Sequence, residues 1–193
     1  MRFYKFTIPA YLLGVLLNAH AAELMPAGKV ADQAAENEMC MRTVCQHGLH
    51  VVLKQKDGST FDKVYDVFPG VVQPFGLTVV AGQILYIEAD MGSNRLVNFR
   101  VVEAVTHPEK TLSVRLQQND DGGMLLKVFN PFKQALKFDM GMMPLDRPRL
   151  LKTSSCPVVA GGFSVESWPM PLFQVVFGNA RFIDLKGEKV ACN

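Results

Sequence analysis

The chain has 193 residues, with 20 Lys+Arg against 18 Asp+Glu and a formal net charge of +2. This near balance, with no run of like charges, excludes a strongly basic nucleic-acid-binding protein and a charged tail. The length predicts one domain whose core is large enough to fold without depending on disulfides.

The N-terminus has the three parts of a secretory signal peptide, which we place at residues 1–21. Arg2 and Lys5 precede an apolar run that ends at Leu17, and Ala19-His20-Ala21 is a small-x-small cleavage site. The run is too short to span a bilayer, which needs about 20 residues. Cleavage removes both excess charges and leaves 18 basic against 18 acidic residues. We therefore expect a neutral periplasmic or secreted protein without a transmembrane segment; an uncleaved anchor is the alternative.

Residues 22–46 are expected to form a short N-terminal arm, because Glu23–Met39 is Ala-rich and mildly acidic. Its apolar side is too small to dock firmly, so the arm is predicted to be either helical or disordered.

Residues 47–193 are predicted to form a β-sandwich domain, because short apolar segments alternate with Gly, Pro, Asn and Asp turns. Leu112, Val114 and Leu116 alternate with polar residues, which is the period-2 pattern of a half-buried strand. The predicted strands are 48–54, 60–68, 77–80, 83–89, 95–105, 111–117, 124–129, 136–142, 162–167, 172–177 and 180–185. This spacing indicates an all-β, antiparallel β-sandwich that is immunoglobulin-like in general architecture.

The four cysteines, Cys40, Cys45, Cys156 and Cys192, are an even number in a chain predicted to be exported. In an oxidising compartment, two disulfides are expected. We favour Cys40–Cys45 and Cys156–Cys192, because the first pair closes a short local loop and the second ties down the tail. Crossed pairing, in which Cys40 or Cys45 reaches Cys192, is the alternative.

A copper site is the competing prediction, because soft ligands lie close together along the chain. The candidate ligands are Cys40, Cys45, His47, His50, Met140 and Met142. Disulfides would remove the thiolates, and core packing also explains the methionines, because they continue the apolar register of Leu136 and Phe138. We therefore expect no cofactor, with copper as the alternative.

Catalytic motifs are missing from the sequence. The histidines after the predicted signal peptide are His47, His50 and His107, and no Gly-x-Ser-x-Gly occurs. A carboxylate pair from distant strands, such as Glu88 and Glu103, is conceivable, but one sequence does not select it. A non-enzymatic protein is the main prediction, and an enzyme with a site assembled from loops ranks third, after copper binding.

The segment around the single tryptophan is a candidate for partner binding. Trp168, Met170 and Phe173 would form an apolar patch if exposed, although burial as a plug between sheets is favoured. Export, β-structure and balanced charge together predict a protein-binding or assembly module of the cell envelope. Its expected partner is another envelope protein.

Overall fold

A computed structural model of the protein describes Glu38, Cys40, Met41, residues 44–185 and Cys192. The predicted signal peptide at 1–21 and most of the predicted arm at 22–46 lie outside these residues. The described part is nearly all β-structure, apart from the helical Glu38, Cys40 and Met41. Within it, no helix is both long and apolar enough to cross a membrane.

The strands form two five-stranded sheets and a separate hairpin. They are β1 (Gln46–Lys54), β2 (Thr60–Phe68), β3 (Val72–Gln73), β4 (Gly76–Val80), β5 (Ile84–Met91), β6 (Leu96–Val102), β7 (Thr111–Gln118), β8 (Met124–Phe129), β9 (Ala135–Pro144), β10 (Leu151–Thr153), β11 (Phe163–Trp168) and β12 (Leu172–Ile183). Sheet I has the order β10-β9-β12-β4-β3, sheet II has the order β11-β8-β7-β5-β6, and β1 pairs with β2. Neighbouring strands are antiparallel throughout.

The hydrophobic core lies between sheets I and II. Leu112, Val114 and Leu116 of β7 are buried, and Val175 and Phe177 of β12 are buried from the other sheet. Every second residue of these strands faces inward, as the alternating pattern predicts. The all-β sandwich is confirmed, whereas an immunoglobulin-like topology is not.

An aromatic cluster holds the β1–β2 hairpin against sheet I. Phe173 of β12 makes edge-to-face contacts with Phe61, Tyr65 and Phe68 of β2, at ring-centroid distances of 6.3, 5.6 and 5.7 Å. Such ring pairs add about 0.5–1.5 kcal/mol each beyond the burial of their area. This cluster adds to the burial of Val51 and Leu53 of β1, which join the hairpin to the main core.

Strand β12 corrects one sequence prediction. The sequence predicts separate strands at 172–177 and 180–185, but the structure has one strand, Leu172–Ile183. Its register against β9 shifts between Gly178 and Arg181, and Asn179 has a φ of 48°. The polar interruption is therefore a bulge inside a continuous strand rather than a turn between two strands.

The segment that carries Cys156 is bonded to both sheets. The Lys137 ammonium of β9 donates to the Ser155 carbonyl, and Ser155 Oγ donates to the Phe138 carbonyl at 2.5 Å. The Cys156 amide donates to Glu166 of β11 at 2.5 Å. Burial under this segment disfavours the charged ammonium of Lys137 and so lowers its pKa.

Candidate functional site

All four cysteines are in disulfides. Cys40 is bonded to Cys45 and Cys156 to Cys192, which is the pairing favoured from the spacing. Neither bridge leaves a thiolate for metal binding or redox chemistry. Two disulfides are compatible with an oxidising, extracytoplasmic compartment.

The four remaining copper-ligand candidates lie on different sheets. His47 pairs with Val67 and His50 with Val64, so the two rings lie on opposite faces of the hairpin. His50 Nε2 is 2.7 Å from an oxygen of Asp62. Met140 is buried in sheet I and Met142 packs against the same core. Among the described residues, no three His, Cys, Asp or Glu side chains are placed to share a metal ion.

The tryptophan segment belongs to the core rather than to an exposed patch. Trp168 is buried, and its indole Nε1 donates to Thr153 Oγ1 at 3.0 Å. Met170 and Phe173 are partly buried and pack against the core cluster. Their positions explain why a stretch with two prolines carries so many apolar side chains.

Exposed apolar side chains are instead grouped on the outer face of sheet II, although others are exposed elsewhere on the described surface. Phe163 and Val165 of β11 are 57% and 47% exposed, and Ile84 of β5 is 48% exposed. Leu125 and Phe129 of β8 are also exposed. Part of this face comes from β8, in which Met124, Leu126 and Val128 point into the core and the intervening residues point outward.

Strand register arranges the outer face of sheet II in four rows. The rows are Thr111–Glu88–Arg100; Phe163–Phe129–Ser113–Tyr86–Val102; Val165–Lys127–Arg115–Ile84; and Ser167–Leu125–Gln117. We call this surface the row face. Successive rows lie about 7 Å apart along the strands and neighbouring strands about 5 Å apart, so it covers about 400–500 Å².

Two cations stand in the middle of the row face. Arg115 of β7 and Lys127 of β8 are directly opposite each other across the ladder. Like charges in this position destabilise a sheet. The Lys127 ammonium lies 4.5 Å from the ring centroid of Phe163, and neither cation forms an ion pair with any residue that the structure describes.

Glu88 is the one carboxylate in the four described rows, and cations surround it. Its oxygens lie 2.5 Å from an Arg100 nitrogen, 2.6 Å from His107 Nδ1 and 3.5 Å from Lys110 Nζ. Hydrogen bonds from Arg100 and His107, with the charge of Lys110, lower the pKa of this buried carboxyl to about 2 against the opposing effect of burial. Two permanent cations, Arg100 and Lys110, contact Glu88, and Asp90, two residues further along β5, also acts on Arg100, so charges of both signs meet at this end of the row face.

The Glu88–His107 pair resembles the base and orienting carboxylate of a hydrolase, but it lacks a placed nucleophile. The hydroxyl that contacts the ring among the described residues belongs to Thr106, and it meets Nδ1 at 3.2 Å. Nδ1 already faces Glu88, and a nucleophile would need the other ring nitrogen. Within the part of the chain that the structure describes, the pair therefore lacks the third member of a triad, and Glu88 instead contacts Arg100 and Lys110.

Comparisons with known proteins add no family to this description. The chain matches no protein-family model, no curated protein and no solved structure.

The sequence contained one signal of the row face. Two of the three outward positions of β8 are apolar, Leu125 and Phe129, and so are two of the three outward positions of β11, Phe163 and Val165. A strand with one solvated face normally carries polar residues there.

Proposed function

We propose that the protein is an exported, non-enzymatic, protein-binding module of the cell envelope, periplasmic or secreted, and that it binds its partner on the row face. The observation that carries this proposal is the combination of exposed Phe, Val, Leu and Ile side chains with the opposed Arg115 and Lys127. Stability alone explains neither feature, because both expose unfavourable groups on a sheet that is otherwise well packed.

The size of the row face suits a protein partner. Its area of about 400–500 Å² includes polar and charged as well as apolar side chains. It is smaller than the roughly 800 Å² per partner of a standard interface, so an association of modest affinity is expected. Surrounding loops would have to contribute for a tighter complex.

The row face is also rigid. Its side chains project from five paired strands, and Lys127 is further held against the ring of Phe163. A partner that docks here therefore loses less free energy to ordering than it would on a loop surface.

Site-specific photo-crosslinking in the native host tests this proposal. A benzophenone amino acid replaces Val165 on the row face in the full chain, and the matched control carries it at Val64, a similarly exposed valine on the outer face of the hairpin. We expect a discrete heavier adduct with another polypeptide from position 165 but not from position 64. The absence of an adduct at 165, or equal adducts at both positions, would overturn the proposal.

A further inference from the structure

We infer that the partner on the row face is an acidic protein segment, in which carboxylates lie beside apolar side chains. This inference rests on the proposed function and adds the chemistry of the partner. It follows from the distribution of charge within the face and not from net charge, because the chain after its predicted signal peptide is neutral.

The centre of the row face lacks an anion for its cations. Arg115 and Lys127 oppose each other and form no ion pair with a described side chain. A carboxylate placed between them would relieve their repulsion and receive two charge-assisted hydrogen bonds. Val165 and Ile84 flank this pair in the same row, so apolar side chains beside that carboxylate would meet apolar side chains.

The end of the row face that carries Glu88 also presents an exposed cation. Glu88 holds Arg100 at 2.5 Å and Lys110 at 3.5 Å, which fixes the positions of two cations with one negative charge. Arg100 remains more than half exposed. Arg100 is therefore a second, weaker contact for a carboxylate of the partner, because Glu88 and Asp90 already offset part of its charge. It lies two rows along the strands and two to three strands across from the central pair, roughly 18 Å away.

A second copy of this chain is a poor occupant. A two-fold symmetric contact presents the same patch from both subunits. The Arg115–Lys127 pair would then approach its own copy, and juxtaposed like charges oppose association. The charge on the face thus selects a different molecule.

An anionic membrane fits less well than a protein. Polybasic membrane-binding segments carry about 4–8 clustered cations. The centre of the row face has two, Arg115 and Lys127, which form no ion pair with a described residue. Its apolar side chains stand on paired strands and are about half covered by their neighbours. They form a flat surface for docking rather than an apolar stripe that enters the acyl region.

Selection from a random peptide display library tests the charge preference while the partner itself is unidentified. The probes are the folded wild-type protein and the variant Arg115→Glu/Lys127→Glu. A control variant, Lys56→Glu/Arg149→Glu, has the same change in net charge at exposed loop positions outside the row face. Circular dichroism and thermal unfolding establish that all three proteins are folded.

We expect the wild type and the control to select peptides with Asp or Glu next to apolar residues. The row-face variant should select Lys or Arg in their place. A selected acidic peptide should bind the row-face variant at least about tenfold more weakly, and exchanging its acidic residues for Lys should restore binding. This rescue by charge exchange distinguishes recognition from a structural effect.

Three results would overturn the inference. Selection of apolar peptides without a charge preference would show that the partner segment need not be acidic. The crosslinking result, and so the proposed function, would still stand. Peptides enriched equally on wild type and row-face variant would place binding elsewhere. Binding to phosphatidylglycerol vesicles but not to phosphatidylcholine vesicles, lost in the row-face variant, would assign the face to a membrane.

Discussion

Phe173 is expected to be a structural anchor, and its replacement tests the role of the aromatic cluster. Phe173→Leu keeps an apolar side chain but removes edge-to-face contacts with Phe61, Tyr65 and Phe68. Each contact is worth about 0.5–1.5 kcal/mol, and Phe173 is only partly buried, so we expect a loss of about 2 kcal/mol in the free energy of unfolding. In a domain of this size, that corresponds to a fall of about 4–8 °C in Tm.

Urea-induced unfolding, followed by circular dichroism, measures this loss. The control is Phe75→Leu, because Phe75 is 62% exposed and makes no ring contact among the described residues. We expect the control to change stability by no more than about 0.5 kcal/mol. Limited proteolysis should also cut the hairpin sooner in Phe173→Leu. Equal stabilities for the two variants would refute the anchoring role.

Three further changes have defined outcomes. Replacing Cys156 and Cys192 by Ser opens a loop of sequence separation 36 and should lower the free energy of unfolding in urea by about 4 kcal/mol. Opening the shorter bridge should cost about half as much, and equal costs would contradict the loop-entropy argument. Glu88, whose folded pKa is about 2 against an ordinary 4.5, contributes stability that is present above pH 4.5 and lost as pH falls towards 2. Glu88→Gln should therefore be less stable at neutral pH, with a deficit that shrinks in acid; a constant deficit would argue against this account. Gly76→Ala should cost about 4 kcal/mol or more, because its φ is +145° and a Cβ would lie 1.8 Å from a carbonyl oxygen. Gly58→Ala shares the strain of a positive φ, +84°, but its Cβ meets open space, so it should cost clearly less; similar thermal unfolding of both variants would disprove this.

Local patterns were enough to predict most strands of this fold. Thr60–Phe68 and Met124–Phe129 are strands with the predicted bounds, because Asp-Gly and Gly-Gly turns bracket apolar segments. The bulge in β12 was missed because Gly178 and Asn179 resemble a turn in sequence. Only pairing with β9 and β4 on either side keeps the chain extended there.

The candidate site was not predicted because it depends on the exact register of paired strands. Arg115 and Lys127 become neighbours when β7 and β8 pair as a hairpin, and the Asn119–Gly123 turn predicts that hairpin but its register follows from the turn type. Glu88 and His107 were each noted, but their contact needs the β5–β7 pairing and the loop that precedes β7. Trp168 was correctly expected to be buried, although it is the last residue of β11, paired with Met124, rather than part of a loop.

The position of β12 has a consequence for how the chain reaches its native state. Among the described strands it is the last to be synthesised, yet it lies between β9 and β4 in the middle of sheet I. Until it emerges, β4 and β9 have unpaired edges, which favour aggregation. Sheet I therefore assembles through contacts between distant parts of the chain, a topology that folds slowly. Sheet I stays incomplete until β12 is available, whereas all five strands of sheet II precede β12 in the chain.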